Sequence, residues 1–465
     1  MIQSGFRRKY FGDRQFYKHV ILVMLPIMIQ NAITNFVSML DNLMVGRLGT
    51  VEMSAVSVAN LLVFVYNLSI FGAVSGAGIF TAQYFGKKDH EGIRYTFRFK
   101  LMISVGMTIL AILLFLLAGR FLLSLYLKGE GDPAEAARIL DFAYDYLRVI
   151  LIGLIPHAMT QSYSSTLRET DKGVPPMVAG IIAVLVNLFL NYVLIFGHFG
   201  APRLGVIGAA VATVSSRFVE LAVVAGWTMR HKKLNPFIEG AFRSLKVPAS
   251  LSISILKKGL PLMVNETLWA GGVAFLEQCY STRGLNVVAA CTISNTFFDV
   301  FAVGFISAGA AVGIIIGQQL GAGRIEEAKA DARRLLVFCF LLGLGIGLVY
   351  LAAASFIPLL YNTTADVRQL ATSLMMICAC FFPLEGLLNG SYFMVRAGGK
   401  TLITMLTDSG LLWGLQASVA FIISRFTDFP IVPFYALIQS FMIVKALVGL
   451  WFVKQGKWAN MIVTE

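Results

Sequence analysis

Gly78-Ile79-Phe80-Thr81-Ala82-Gln83-Tyr84-Phe85-Gly86 returns 235 positions later as Gly313-Ile314-Ile315-Ile316-Gly317-Gln318-Gln319-Leu320-Gly321. The same offset pairs Pro26 with Pro261, Gly49 with Gly284, Asn60 with Asn295, Glu91 with Glu326, Arg98 with Arg333 and Tyr126 with Tyr361. After a slip of seven residues, Arg168 and Lys172 pair with Arg396 and Lys400. Ten identities at one fixed offset, several of them Gly, Pro or charged, do not arise from shared hydrophobicity alone. The chain reads as an internal duplication. A duplicated membrane protein builds its substrate path from both repeats, so the pattern already points toward transport.

Composition places that duplication in a bilayer. The chain is 57% hydrophobic and only 14% charged, against roughly 25% charged residues in soluble domains. Its mean hydropathy is +0.76. Runs long enough to cross about 30 Å of hydrocarbon recur along the whole length. Twelve are expected, near 20–44, 54–82, 97–118, 140–166, 175–197, 205–228, 254–281, 288–317, 333–355, 370–394, 401–424 and 433–453. The fold class is therefore an all-α polytopic membrane protein, with twelve transmembrane helices in two six-helix lobes. Six spans per copy is an even number, so the repeat is parallel, with both copies in one orientation. The expected limits are an N-terminal lobe at 1–228, a cytoplasmic linker at 229–252 and a C-terminal lobe at 253–465.

The net charge of +13 is a topology signal. When alternate connections are assigned to two sides, one side holds 27 Lys and Arg and the other 8, with Arg148, Arg217 and Lys445 inside spans. That asymmetry puts both termini in the cytoplasm and leaves no nucleic-acid partner to be expected. The Arg7-Arg8-Lys9 tail ahead of the first apolar run reads as an uncleaved signal anchor. The linker's basic residues read as a topology determinant beside lipid headgroups. The one extended acidic stretch, Glu130 to Asp145, is expected on the opposite side as a solvated cap on the fourth span.

Ionisable groups inside hydrocarbon are costly and mark function by default. In the first lobe these are led by Asp41, fifteen residues after Pro26. Asn187 and Asn191, at i and i+4, share one face of the fifth span, and Thr213 lies on the sixth. One carboxylate, two amides and a hydroxyl make an all-oxygen donor set suited to a hard cation such as Na⁺, or to proton exchange at Asp41. A polar helix-packing network is the competing reading. Arg217 and Glu220, at i and i+3, are expected to neutralise each other. In the second lobe the candidates are Glu266, Asp299, Glu385, Asp408 and Lys445, which either line a cation path or form buried pairs. The residue 235 beyond Asp41 is Leu276, so the repeat does not keep its carboxylate.

Other chemistry is weakly supported. The five cysteines sit within or beside spans without redox or metal spacing. No P-loop is present, which argues against ATP-driven transport by this chain alone. No residue is assigned a catalytic role, no enzyme activity is expected, and no cofactor is expected beyond Na⁺ or H⁺ as coupling ion.

Several of these motifs together resemble the multidrug and toxic compound extrusion (MATE) transporters of bacterial type. The first-span segment Pro26 through Gly49, with Asp41-Asn42-Leu43-Met44-Val45-Gly46-Arg47-Leu48-Gly49, is similar to that family's signature. Gln83-Tyr84-Phe85-Gly86-Lys87 and Gln318-Gln319-Leu320-Gly321-Ala322 resemble its paired loops after spans two and eight. Asn187-Leu188-Phe189-Leu190-Asn191-Tyr192, then Gly205 and Gly208-Ala209-Ala210, resemble its span five-to-six segment, and Pro261 through Trp269 its seventh span. The resemblance covers nearly the whole chain. It implies a multidrug efflux antiporter of the cell membrane that exchanges Na⁺ or H⁺ for amphipathic, often cationic, compounds by alternating access. It makes Asp41 the coupling carboxylate and Asn187 and Thr213 ion ligands. Position 191, commonly Asp in the family, is Asn here, leaving one carboxylate in the set. The expected partners are a small-molecule substrate and the lipid bilayer, with the protein working as a monomer. The rival expectation is a flippase for a lipid-linked precursor, of a related fold; those chains usually carry further spans and a more cationic cavity.

Overall fold

The computed structural model describes residues 10–127 and 133–463. The Arg7-Arg8-Lys9 tail and the start of the acidic stretch, from Glu130 to Asp132, lie outside the described residues. Among the described residues, twelve long helices follow one another: α1 (Arg14–Gly46), α2 (Thr50–Lys87), α3 (His90–Tyr126), α4 (Pro133–Glu169), α5 (Val174–Phe196), α6 (Val206–Arg230), α7 (Ala249–Ser281), α8 (Leu285–Gly321), α9 (Ile325–Ala353), α10 (Ala365–Ala397), α11 (Thr401–Phe426) and α12 (Ile431–Gln455). No strand occurs among the described residues. Ten of the twelve are long and apolar enough by composition to cross a membrane. The other two, α4 and α7, carry charges such as Asp141, Asp145, Lys257 and Glu266. A span that turns polar groups toward neighbouring helices tolerates a composition that an isolated one does not. In α4 the buried residues include Thr160, Ser162, Ser164, Ser165 and Thr166.

The chain divides into two compact units. The first comprises Ile29–Thr81 and Asp89–Gly259; the second comprises the described residues of Met1–Met28, Ala82–Lys88 and Leu260–Glu465.

In the first unit, α6 packs on both α4 and α5, and α3 packs on α4. Val56, Tyr66, Leu123, Leu147, Leu154 and Ala210 belong to its core. The connection after α6 is a folded strap. Arg98 donates to the carbonyls of Ala241 (2.8 Å), Gly240 (2.7 Å) and Lys246 (3.1 Å). Arg94 donates to Phe237 O at 3.3 Å, and the buried Phe237 ring meets Phe97 edge-on with centroids 5.3 Å apart. Lys100, expected among the side-setting cytoplasmic charges, is instead fully buried in an ion pair with Glu169, which also accepts from Ser165 at 2.6 Å. Two residues beyond Arg98, about half a turn of helix, are enough to carry a side chain round to the packed interior.

In the second unit, α10 packs on α8, α9 and α12. Tyr350 and Phe382 are fully buried, with rings 4.8 Å apart, and such pairs add about 0.5–1.5 kcal/mol beyond area burial. The duplicated motif comes together here. A Cβ on Gly86 would overlap the Gln318 carbonyl, and one on Gly321 would overlap the Gln83 carbonyl. The two copies thus pack backbone on backbone, which only glycine allows. Gln83 also anchors the chain's last segment: Nε2 donates to Asn460 O at 3.1 Å and Oε1 accepts from Ile462 N at 2.8 Å.

Candidate functional site

The first-unit candidates converge, and helix periodicity explains how. Ala179, Ala183, Asn187, Asn191 and Ile195 recur every four residues on α5 and are all buried, forming one stripe along the helix. Leu185, Phe189 and Tyr192 on other faces are exposed, as expected of residues turned toward lipid. Gly208 on α6 lets the neighbouring backbone approach, since a Cβ there would come 2.6 Å from Leu194 O. That contact sets Thr213 beside the asparagine stripe.

Asn191 Nδ2 donates to Asp41 Oδ1 at 2.5 Å and to Asn187 Oδ1 at 3.1 Å. Asn187 Nδ2 lies 3.4 Å from Thr213 Oγ1. With the Asn187 amide turned over, its nitrogen instead donates to Asp41 Oδ1 at 2.9 Å and Oδ2 at 3.3 Å. Only in this second orientation does the Asn187 amide hydrogen-bond the carboxylate directly; in the first it is linked to Asp41 through Asn191. Asn191 is fully buried, and its Oδ1 has no hydrogen-bond partner among the described residues. The final torsion of an asparagine is soft, so a half-turn can present oxygen where nitrogen now points. Asp41 has amide neighbours and no ion-pair partner among the described residues. A part-buried carboxylate without a counter-charge has strong reason to hold a cation or proton.

The second-unit candidates divide. Asp408 Oδ1 pairs with Lys445 Nζ at 3.3 Å, and Oδ2 accepts from Asn265 Nδ2 at 3.1 Å. Ser409 donates to Asn265 Oδ1 at 2.7 Å, and the Tyr392 hydroxyl lies 3.3 Å from Asn265 Nδ2. Glu385 has Lys445 and Asp408 as charged neighbours, and Glu266 has Arg396 and Asp408. Four of the five residues therefore form one charged cluster. Asp299 does not join it: the residue is exposed on α8, with Glu277 as its charged neighbour. The helix carrying Asp408 is wound as π-turns over Leu406–Gly410 and Leu412–Ala417, a distortion that often marks functional positions.

Two further corrections concern charges. Arg217 and Glu220 form no ion pair, and Arg217 Nη1 is buried without a hydrogen-bond partner among the described residues. The buried Lys100–Glu169 pair was missed; its sequence signal was a lysine two residues beyond the repeat-paired Arg98.

A model of the MatE family matches residues 26–193 and 269–422. A probable multidrug resistance protein, YoeA, of Bacillus subtilis is 26% identical over 420 residues, covering 89% of this chain and 88% of its own length. The probable multidrug resistance protein NorM of Thermotoga maritima is 24% identical over 458 residues, covering 96% and 94%. Among solved structures, an outward-facing multidrug resistance MATE family transporter of the MOP superfamily superposes with a TM-score of 0.85 at 20% identity, over 94% of this chain and 95% of that one. A MOP superfamily transporter from Pyrococcus furiosus, described as having a binding pocket of reversed polarity, gives 0.83 at 19% identity, over 96% and 97%. With more than half of its length matched, and in both repeats, the chain belongs to the MatE family of multi-pass membrane transporters.

Proposed function

We propose that this chain is a secondary active efflux antiporter, exporting amphipathic, often cationic small molecules in exchange for Na⁺ or H⁺. The observation that carries the coupling half is Asp41. It is a carboxylate within an apolar helix, hydrogen-bonded to the buried Asn191 and bridged through Asn187 to Thr213, with a spare amide oxygen at Asn191. Asp41, Asn187, Asn191 and Thr213 are the ion's ligands when Na⁺ is the coupling ion; Asp41 alone carries the charge when a proton is. Family membership and multidrug-resistance relatives support the export half.

In this mechanism the ion drives alternating access only through unequal affinity for the two conformations of the carrier. A potential of 100 mV is worth about 2.3 kcal/mol per charge moved, enough for roughly fiftyfold accumulation. The Asp408–Lys445 cluster, with Glu266 and Glu385, supplies substrate-side charge in the second unit. The protein works as a monomer in the plasma membrane with both termini cytoplasmic. The asymmetry of basic residues supports that orientation even with Lys100 removed from the cytoplasmic count.

The test is uptake of a cationic dye into proteoliposomes under an imposed Na⁺ gradient and, separately, an imposed pH gradient. One of the two is expected to drive accumulation in the wild type. Accumulation under neither would refute the antiporter reading.

A further inference from the structure

The first unit holds a part-buried carboxylate with no ion-pair partner among the described residues, Asp41, and a part-buried guanidinium with none, Arg217. Asp41 is met by amides alone, whereas Arg217 carries a buried Nη1 that nothing among the described residues accepts from. Glu220, three residues on, leaves Arg217 unpaired, and Arg217's electrostatic neighbours are the hydroxyls of Tyr146 and Tyr66 and then Glu220. A buried charge left without its opposite is costly, and the cost falls if the two charges meet.

The geometry allows that meeting. Arg217 stands four residues after Thr213 on α6, on the same helix face. Side chains on a helix lean toward its N-terminus, so Arg217 leans toward Thr213, which is linked through Asn187 and Asn191 to Asp41. Gly153 on α4 makes room for the arginine stem, since a Cβ there would sit 3.3 Å from Arg217 Cδ. Tyr146 on α4, whose hydroxyl lies 3.5 Å from Asn60 Oδ1, has both Arg217 and Asp41 among its electrostatic neighbours. On the far side, Tyr66 on α2 is held by Thr108 (2.8 Å) and Leu154 O (3.0 Å), with the His157 ring 6.3 Å away. The groups facing Arg217 are thus two tyrosines, a histidine and one glutamate that it does not pair with.

We propose that Arg217 is a tethered competitor for the Asp41 carboxylate, neutralising it when the coupling ion leaves and so helping to expel that ion. A site that must release its ion needs a substitute charge, because an uncompensated Asp41 would hold the ion too tightly to turn over. Arg217 supplies that charge from within the same unit, one helical turn from Thr213. It is a positioning residue of the coupling cycle and needs no contact with the exported substrate. The proposal rests on Asp41 being the coupling carboxylate.

The experiment uses the full chain in proteoliposomes and the ion, Na⁺ or H⁺, whose gradient drives the wild type. Removing the competitor in Arg217→Gln should lower the half-saturating ion concentration about tenfold and reduce the maximal rate, because release becomes limiting. Arg217→Lys keeps the charge on a shorter reach and should fall between, with a two- to fivefold lower half-saturation and transport retained. In an Asp41→Asn background, Arg217→Gln should have no further effect on ion dependence. An unchanged or raised half-saturation in either folded variant, while Asp41→Asn alone loses coupling, overturns the role of Arg217 and leaves Asp41 standing. Wild-type coupling in Asp41→Asn, or no response of the wild type to either gradient, removes the coupling reading and this proposal with it. If Arg217→Gln does not fold, the Lys variant decides by the same criterion.

Discussion

Asp41 in the first unit and Asp408 in the second are both carboxylates within apolar helices, yet their surroundings are opposite. Asp41 accepts from Asn191 and has no ion-pair partner among the described residues, whereas Asp408 is paired with Lys445 at 3.3 Å and hydrogen-bonded by Asn265. A carboxylate that already owns a fixed cation has little charge left for a mobile one. One that owns only amides can exchange neutral donors for an ion by small torsional changes. On the proposed reading, the duplication kept a scaffold and divided its electrostatics: one unit would take a small exchangeable cation, the other would present a fixed dipole to a larger charged compound. A second contrast lies inside the first unit, where Lys100 and Glu169 form a fully committed buried pair.

The committed pair offers the largest expected effect. Lys100→Met removes the ammonium that pairs with the buried Glu169 and should cost about 3–5 kcal/mol of stability. The drop would be read as the thermal midpoint in detergent, and Lys100→Met/Glu169→Gln should recover much of it. A single variant as stable as the wild type would mean that Glu169 reaches water or is already protonated.

Asp41→Asn is expected to leave the fold intact and cut gradient-driven uptake on the order of hundredfold, the loss of a charge essential to one step. Equal uptake at equal expression would make Asp41 a packing residue like any other polar group of the bundle.

Asn191→Asp sharpens the contrast by adding a second carboxylate beside the first. For Na⁺ the gain is on the order of 1–3 kcal/mol at an effective dielectric near 20, after discounting desolvation. With no Na⁺ bound the two carboxylates repel, so one retains its proton to higher pH, and Na⁺ and H⁺ should compete more visibly. Titration calorimetry at two pH values checks both statements. An unchanged or weaker Na⁺ affinity in a folded variant would shrink the site to Asp41 alone.

The smallest effect is expected at Asp408. Asp408→Asn leaves Lys445 positive within the cluster and should weaken cationic substrates by about three- to tenfold more than neutral ones, as a partly exposed charge contact would. Dye-binding competition with matched cationic and neutral compounds measures the difference. Equal losses for both classes would assign the pair to packing.

Much of this was legible in the chain itself. The 235-residue offset, the apolar runs and the spacing of Asn187 and Asn191 are local or periodic properties, and helix geometry turns them directly into spans and faces. The glycines of the repeated motif were visible too, although their purpose was not. Gly86 and Gly321 are where each copy's backbone meets the other copy's glutamine carbonyl. Where spacing alone was used to choose partners it failed: Arg217 and Glu220, three residues apart, form no ion pair. Asp299 stands apart from the Asp408–Lys445 cluster, beside Glu277.

By itself, the sequence determined the membrane class, the duplication, the number of long helices and the residues able to carry charge through an apolar span. Those follow from composition and period, which each segment carries within itself. Only the tertiary structure decided which charges meet. Asp41 and Asn191 are 150 residues apart, and Asn265 and Asp408 are 143 apart. Such partners are chosen by how helices pack, how closely glycines let backbones approach, and which way each side chain leans. A buried charge takes its meaning from the neighbour that packing gives it, because in a low-dielectric interior a contact of a few ångströms outweighs any preference encoded along the chain.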